Sequence, residues 1–454
     1  MTTSPDSWHE MTALALGAAI SAGLIDPIAL TEHFLARIDT EDADHTVYIR
    51  TTGERARAEA AAAAARAKSG LRRSPLDGVP ISWKDLYDSA GTITTGGSPL
   101  MKDRVPGSDA LVLARATRAG LVCLGKTSLT ELAYSGLGIN PSMGTPINPY
   151  DTEIDRVPGG SSSGAAASVA RGLAAAGIGS DTGGSVRIPA AWHGLVGLKT
   201  SAGMIPLEGV LPLWPGVDTA GPLTRDVADA AALFAIMAAQ PAGDVSGASV
   251  AHRRFLVPDN FFWDELDEGV AKTADTALSA LVASGAVIER RRLPSLDGLV
   301  TLGMGVAHMM SSDAYAVWGE MLESDPHAVY PPVLKRFRMG CDQDAVEMVR
   351  IRRRLAELAD AFHDEISGFD AALAPTTPTV APPMEPLVSG GDLYLKTNMM
   401  ALRNTRVGNV FDLSALTLPC GDYNGLKTGL MLMVGPRREN ALLRLGAAVE
   451  RALG

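Results

Sequence analysis

Apolar and polar positions along this chain fall into blocks whose period switches between that of a helix and that of a strand. Across residues 10–40 the positions Pro27, Leu30, His33, Phe34 and Ile38 recur at helical spacing, which predicts a helix pair whose second member starts at Asp26-Pro27. An alanine-rich helix over 53–69 stops at Gly70. Val79-Pro80-Ile81-Ser82-Trp83 reads as a short strand that delivers Lys84 to its end, and a helix over 110–119 leads to a buried strand, Leu121–Leu124, between two glycines. A helix over 164–172, a strand over 174–179 ending at Ser180-Asp181, and a helix over 222–239 follow. Strand 254–257, helix 269–284 and strand 287–291 continue the alternation. A strand then ends at Ala374-Pro375-Thr376-Thr377-Pro378, and Leu430–Val434 leads into a closing helix over 439–453. Such alternation argues for an α/β protein with a mostly parallel sheet covered on both faces. The span 300–345 breaks the pattern: it carries Met304, Met309, Met310, Trp318, Met321 and Tyr330 with little periodicity, and reads as an insertion over the sheet edge or over a site. No repeat and no long linker is visible, so residues 1–454 read as one domain.

Composition narrows the function. Apolar residues make up 46% and charged residues 20% of the chain, enough for a large core and too little charge for wholesale disorder. A net charge of −11 argues against nucleic acid as the main partner, which needs a basic face. Cys123, Cys341 and Cys420 are odd in number and widely spaced, which favours a reducing, cytoplasmic setting. The apolar run Thr12–Ile25 is preceded by Asp6 and Glu10 without Lys or Arg, the wrong polarity for a secretion signal, and no segment reaches the length of a membrane span. The eight histidines show neither HExxH nor His-x-His spacing, so no metal site is expected, and no cofactor motif stands up.

The candidate chemistry lies in two glycine turns that carry serine, Gly159-Gly160-Ser161-Ser162-Ser163-Gly164 and Asp181-Thr182-Gly183-Gly184-Ser185, with Lys84 upstream. No histidine lies between them, which suggests a nucleophilic serine activated by lysine. Two other motifs compete. Gly120–Thr127 fits the phosphate-loop pattern GxxxxGK[ST], but its four middle residues are themselves a strand, so their amides are committed to a sheet. Gly160–Gly164 fits GxSxG, an esterase elbow with Ser162 as nucleophile, but the polar, proline-containing Asp155–Gly159 precedes it where a buried strand is required. A flexible Gly/Ser linker does not fit the ordered alternation on both sides.

With these motifs in view, the chain resembles the amidase signature family of Ser–cisSer–Lys amidohydrolases. The likeness extends through Leu76–Pro80, Gly125–Glu131, Gly194–Lys199, Gly221–Asp226, Pro375–Pro378 and Leu416–Pro419. It is densest over 76–240 and weak over 245–370. The resemblance implies a single domain built on a large, mixed, twisted sheet with helices on both faces. It implies Ser185 as nucleophile, Ser161 as a bridging serine after a cis peptide, and Lys84 as the base. Thr182, Gly183 and Gly184 would form the oxyanion hole, since a turn of glycines can aim several amides at one point. Burial would keep Lys84 neutral enough to accept a proton.

Two departures from the family pattern bear on substrate. Trp192-His193 replaces a usual cysteine or phenylalanine, predicting an altered pocket wall, and Leu211–Gly216 is apolar and proline-rich. Together with Tyr134, Trp214 and Trp318 as expected pocket residues, this leans toward an aryl or apolar amide, with carbamates and esters as further options. The expected partners are a small amide substrate and, as an option, a second copy of the chain, with no nucleic acid and no membrane. Two rival functions stand beside this one: the glutaminase subunit of a tRNA-dependent amidotransferase, and the elbow esterase on Ser162.

Overall fold

A computed structural model of the protein describes residues 4–454. Among the described residues eleven strands form one sheet: β1 Tyr48–Thr51, β2 Pro80–Lys84, β3 Val122–Thr127, β4 Gly177–Asp181, β5 Val196–Lys199, β6 Thr219–Thr224, β7 Arg254–Pro258, β8 Val287–Arg291, β9 Ala371–Pro375, β10 Ser414–Tyr423 and β11 Leu426–Val434. Their order across the sheet is β1-β3-β2-β4-β6-β5-β10-β11-β9-β7-β8. Strands β2, β3, β4, β5, β6 and β9 are buried along their whole length, which explains why β2, β3, β4 and β9 read as short runs rather than alternating ones, while β5 and β6 are not anticipated from the sequence.

The sheet is mixed, not mostly parallel. Parallel pairing is confined to β2 with β3 and β4, and to β7 with β8 and β9. Antiparallel pairs fill the middle, because β6 runs against both β4 and β5, and the β10–β11 hairpin inserts between β5 and β9. Helices cover both faces. On β10, Leu416 meets Gly446 of the helix Glu439–Leu453, while its neighbour Ala415 points the other way, toward Gly408 of the helix Gly391–Val410.

Local capping sets the helix starts. Asp26 accepts from the Ile28 amide at 2.9 Å ahead of Pro27, as the sequence predicts for the helix Pro27–Glu41. The helix expected from Pro222 starts later, at Val227, because Asp226 is the cap (it accepts from Asp229 N at 2.7 Å) while Pro222 belongs to β6 opposite Ile178. The span 300–345 is helical rather than irregular, with helices Gly305–Ser324 and Pro331–Arg338 followed by Ala345–Ile366. Its period is hard to read because the buried stripe of Gly305–Ser324 mixes Val306, Met309, Met310 and Leu322 with Ser311 and Gly319. Among the described residues no helix is long and apolar enough to cross a membrane.

Candidate active site

Register brings the site together. β2 and β4 are parallel neighbours, with Ser82 opposite Gly177 and Trp83 opposite Ile178, so Lys84 and Ser180 emerge side by side at the same end of the sheet. Across that end runs the first serine turn. Gly159 and Gly160 donate their amides to Leu137 O (3.1 Å) and Gly136 O (2.8 Å), and the Gly160–Ser161 peptide is cis. A Cβ on Gly160 would lie 2.6 Å from the Gly138 amide nitrogen, so only glycine fits there. The Ser162 amide donates to the Ser185 carbonyl at 3.1 Å and ties the second turn to the first.

Lys84 is fully buried, and its Nζ donates to Ser161 Oγ at 2.7 Å and to Ser180 Oγ at 2.8 Å. Burial pushes its ammonium down from the ordinary 10.5 to about 7, against the opposing fields of Asp181 and Asp218. Asp181 is buried too, which raises a carboxyl. The Arg187 guanidinium (2.9 and 3.0 Å) and Asn409 Nδ2 (2.9 Å) outweigh that cost and hold it at about 2. The same carboxylate accepts from the Gly184 amide at 2.9 Å and the Val186 amide at 3.1 Å, so it acts as the frame of the Ser185 turn.

That frame corrects one expectation. The Gly184 amide is spent on Asp181 and is not free to meet an oxyanion. Gly184 is required for space instead: its φ is +134°, and a Cβ would come 2.0 Å from Thr405 Oγ1. Among the described residues, the amides of Thr182, Gly183 and Ser185 take part in no hydrogen bond within the protein. They are the donors the turn leaves available.

The family model described as Amidase matches residues 29–443. The chain belongs to the amidase family. Among its relatives, a 2-amino-5-chloromuconic acid deaminase from Comamonas testosteroni is 36% identical over 88% of this chain and 87% of its own length. A component of the glutamyl-tRNA(Gln) amidotransferase of Chloroflexus aggregans is 30% identical over 98% and 96%. A solved amidase structure superposes with a TM-score of 0.87 at 30% identity, covering 98% of this chain and all of its own. The native peptide amidase of Stenotrophomonas maltophilia superposes at 0.83 with 26% identity over 99% and 98%. The protein is thus an amidase-family amidohydrolase acting on C–N bonds other than peptide bonds.

In this amidase two cavities meet near the serine. One, of about 240 Å³, is mostly apolar and bounded by Leu86, Leu207, Val210, Leu211, Pro212 and Pro215, with Ser180, Thr182 and Asp218 at its polar end. It does not reach Ser185. A much tighter cleft does, lined by Ser185, Thr182, Gly183, Tyr134, Met310 and Leu402 along with Arg336 and Arg406. Ala133, Thr182 and Leu213 border both spaces.

Of the expected pocket residues, only Tyr134 lines the cleft; its hydroxyl bonds the Ser311 hydroxyl at 2.6 Å. Trp214 and Trp318 line neither space. Their indole N–H groups are turned to Asp313 Oδ2 (2.7 Å) and Pro212 O (2.8 Å), so they clamp the 211–216 loop to the helix Gly305–Ser324 from behind. Trp192-His193 is equally remote, with Trp192 Nε1 donating to Thr379 O at 2.9 Å and His193 Nδ1 lying 2.9 Å from Pro189 O. The rival motifs also find structural employment. Ser162 Oγ donates to Ser180 O at 3.2 Å, and Lys126 Nζ is bonded to Asp85 (2.8 Å), Tyr87 O (2.6 Å) and Thr94 (2.9 Å).

Several site residues escaped the sequence reading. Ser180 could have been found from strand register alone. Asp218, which accepts from Thr182 Oγ1 (2.5 Å) and the Leu213 and Trp214 amides (2.8 and 2.9 Å), gives no local signal. Asn398, Leu402, Thr405 and Asn409 share one face of Gly391–Val410, a stripe at helical spacing that mixed polarity conceals. Asn398 holds the Gly136 amide at 2.8 Å, and Thr405 Oγ1 donates to Gly183 O at 2.7 Å.

Proposed function

We propose that this amidohydrolase cleaves small linear amides through an acyl-enzyme on Ser185, with Ser161 and Lys84 as the proton relay. The observation that carries the reading is the buried Lys84, poised near neutrality and 2.7 Å from Ser161. A serine hydroxyl becomes a competent nucleophile when a neighbour takes its proton. Neutral Lys84 can donate one N–H to Ser180 and turn its lone pair to Ser161, which in turn accepts from Ser185. Attack on the amide carbonyl then develops an oxyanion that the Thr182, Gly183 and Ser185 amides can meet. The relay returns the proton to the leaving nitrogen, and water, activated the same way, releases the acid.

The apolar cavity beside the serine supports an aryl or aliphatic group on the substrate, with carbamates and esters as further bonds of the same geometry. Labelling with an activated phosphonate ester followed by peptide mass spectrometry tests the assignment. Adduct on the Ser185 peptide is expected, whereas adduct on Ser162 would restore the elbow reading. Glutamine hydrolysis that needs a co-purifying partner protein would instead favour the transamidation role.

A further inference from the structure

Thr182 opens the Ser185 turn, and its amide is one of the three donors that turn leaves available. In a trans peptide the N–H points away from the carbonyl of the preceding residue, so whatever fixes the Asp181 carbonyl also aims the Thr182 amide. β6 fixes it. Thr219, opposite Asp181 across β4 and β6, donates its Oγ1 to Asp181 O at 2.9 Å, and Asn409 Nδ2 adds a bond of 3.2 Å. The residue before Thr219 holds the other end of the same unit, because Asp218 Oδ1 accepts from Thr182 Oγ1 at 2.5 Å. A rotation that swung the Thr182 amide aside would have to break bonds at both ends.

Asp218 does a second thing. Its Oδ2 accepts from the Leu213 and Trp214 amides at 2.8 and 2.9 Å, in the loop that walls the apolar cavity. All three partners donate to it, the pattern of an ionised carboxylate. Burial pushes its carboxyl up, and the bonds from Thr182, Leu213 and Trp214 oppose that push. Among the described residues it forms no ion pair, unlike the buried Asp181 and Asp85, which pair with Arg187 and Lys126. The cation its field reaches is Lys84, whose ammonium Asp181 and Asp218 both favour against burial. Tyr87, also in that field, is pushed up by burial first and by Asp218 second, so it stays neutral. Support of the loop needs no charge, since the carbonyl oxygen of an asparagine can accept from the same two amides. A buried carboxylate without an ion-pair partner is costly to keep for that purpose alone.

We propose that Asp218 and Thr219 are positioning residues for the reaction at Ser185, which together clamp the Asp181–Thr182 peptide unit so that its amide is aimed at the developing oxyanion. This rests on the Ser185 reading and deepens it. The clamp acts mainly after the substrate is bound, because an amide held in place before the charge develops favours the transition state over the ground state. Asp218 adds to this an anion in the field of Lys84, so it alone of the pair also sets the pH at which the relay loses its free amine.

The test compares isosteric variants on the fastest substrate of a panel of anilides and aliphatic amides. Asp218→Asn should lower kcat by roughly 10- to 100-fold, less than the loss of a whole oxyanion donor, with KM little altered. The acid limb of its kcat/KM profile should also move to lower pH than in the wild type, because removing an anion near an amine favours the neutral form. Thr219→Val, which loses only the hydroxyl, should lower kcat by about 10-fold with the limb unmoved, and Thr219→Ser should restore the rate. Thr182→Val leaves the Asp218 charge in place and should likewise lose kcat without moving the limb, which keeps the test open if Asp218→Asn fails to fold. Trifluoroacetophenone, whose adduct on a serine carries an oxyanion, should bind each variant more weakly by the factor lost in kcat. Loop support alone predicts the opposite split: higher KM and a lower melting temperature, with kcat and inhibitor binding unchanged. That result, or an Asp218→Asn limb at the wild-type pH, would overturn the clamp. Failure of the underlying reading looks different, since Ser185→Ala would then retain turnover.

Discussion

On one side of Ser185 stand strand ends and glycine turns; on the other stand side chains from helices Gly305–Ser324, Pro331–Arg338 and Gly391–Val410. The first wall is tied together by hydrogen bonds, with the Thr182, Gly183 and Ser185 amides left free. Lys84, Ser161, Ser162 and Asp181 are all fully buried, and backbone bonds weld the two serine turns together and to the 130–138 segment. The second wall presents Met310, Leu402 and two arginines without carboxylate partners, on helices whose outer faces leave Val317 and Leu393 exposed. A densely bonded buried network has one geometry and tolerates little change. A wall of methionine, leucine and long cations can re-pack around different ligands. Under the proposed mechanism, the difference puts the chemistry on the first wall and selectivity on the second.

The largest break in that division comes from Ser185→Ala. If the first wall performs the chemistry, turnover of every substrate should fall by on the order of 10⁴-fold or more with the melting temperature nearly unchanged. A retained rate on any amide would assign the chemistry elsewhere.

Next in size is Lys84→Met, expected to cost on the order of 10³- to 10⁴-fold in kcat/KM. The wild-type profile gives the same answer with its sign fixed. The working form is the neutral amine, so kcat/KM should fall as pH drops through about 7, where Lys84 becomes protonated, and should level off above it. Burial instead pushes His193 down to about 4, against its bond to the Pro189 carbonyl, so a limb near pH 4 would point to histidine.

Ser180→Ala sharpens the comparison within the first wall. It removes one of the two hydroxyls that hold Lys84 Nζ, and kcat should drop about 10-fold with KM little altered, the cost of one hydrogen bond. An unchanged kcat would make Ser180 mere packing.

The smallest effect is expected from Trp318→Phe, which removes the 2.8 Å bond to Pro212 O while keeping most of the ring's bulk. Stability should fall by about 1 kcal/mol. The ranking of acyl groups should shift by only a few-fold, because the indole supports the 211–216 loop from outside the cavity. A wholesale change of ranking would place Trp318 in contact with substrate.

How much of this was legible depended on distance along the chain. Lys84, Ser161 and Ser185 stand in short motifs whose local conformation is dictated by glycine and by the strands that precede them. Ser162 and Lys126 fit rival motifs, but the backbone on either side of them has the wrong local structure for those motifs. The helix starts at Val227 rather than Pro222 because the Asp226 carboxylate caps it, while Pro222 lies in a strand. Trp214 and Trp318 were expected at the pocket because aromatic residues in a sparse region look purposeful. The direction of an indole N–H toward Asp313 or Pro212 is a tertiary matter.

By itself the sequence determined the strand and helix blocks that carry the motifs, the buried setting of Lys84 at a strand end, and the glycines that permit the tight approach at Gly160. These follow from local periodicity and from steric limits on φ and ψ, which act over a few residues. Only the tertiary structure decided the order of strands, the pairing of Lys84 with Ser180 across β2 and β4, and the meeting of Tyr134, Arg336 and Arg406 around Ser185. Those contacts join segments up to two hundred residues or more apart, such as Tyr134 with Arg336 and Arg187 with Asn409. Nothing local encodes such a meeting. It is selected when burying one large sheet between two layers of helices leaves a single mutually compatible packing, and the charges brought together by that packing define what the site can bind.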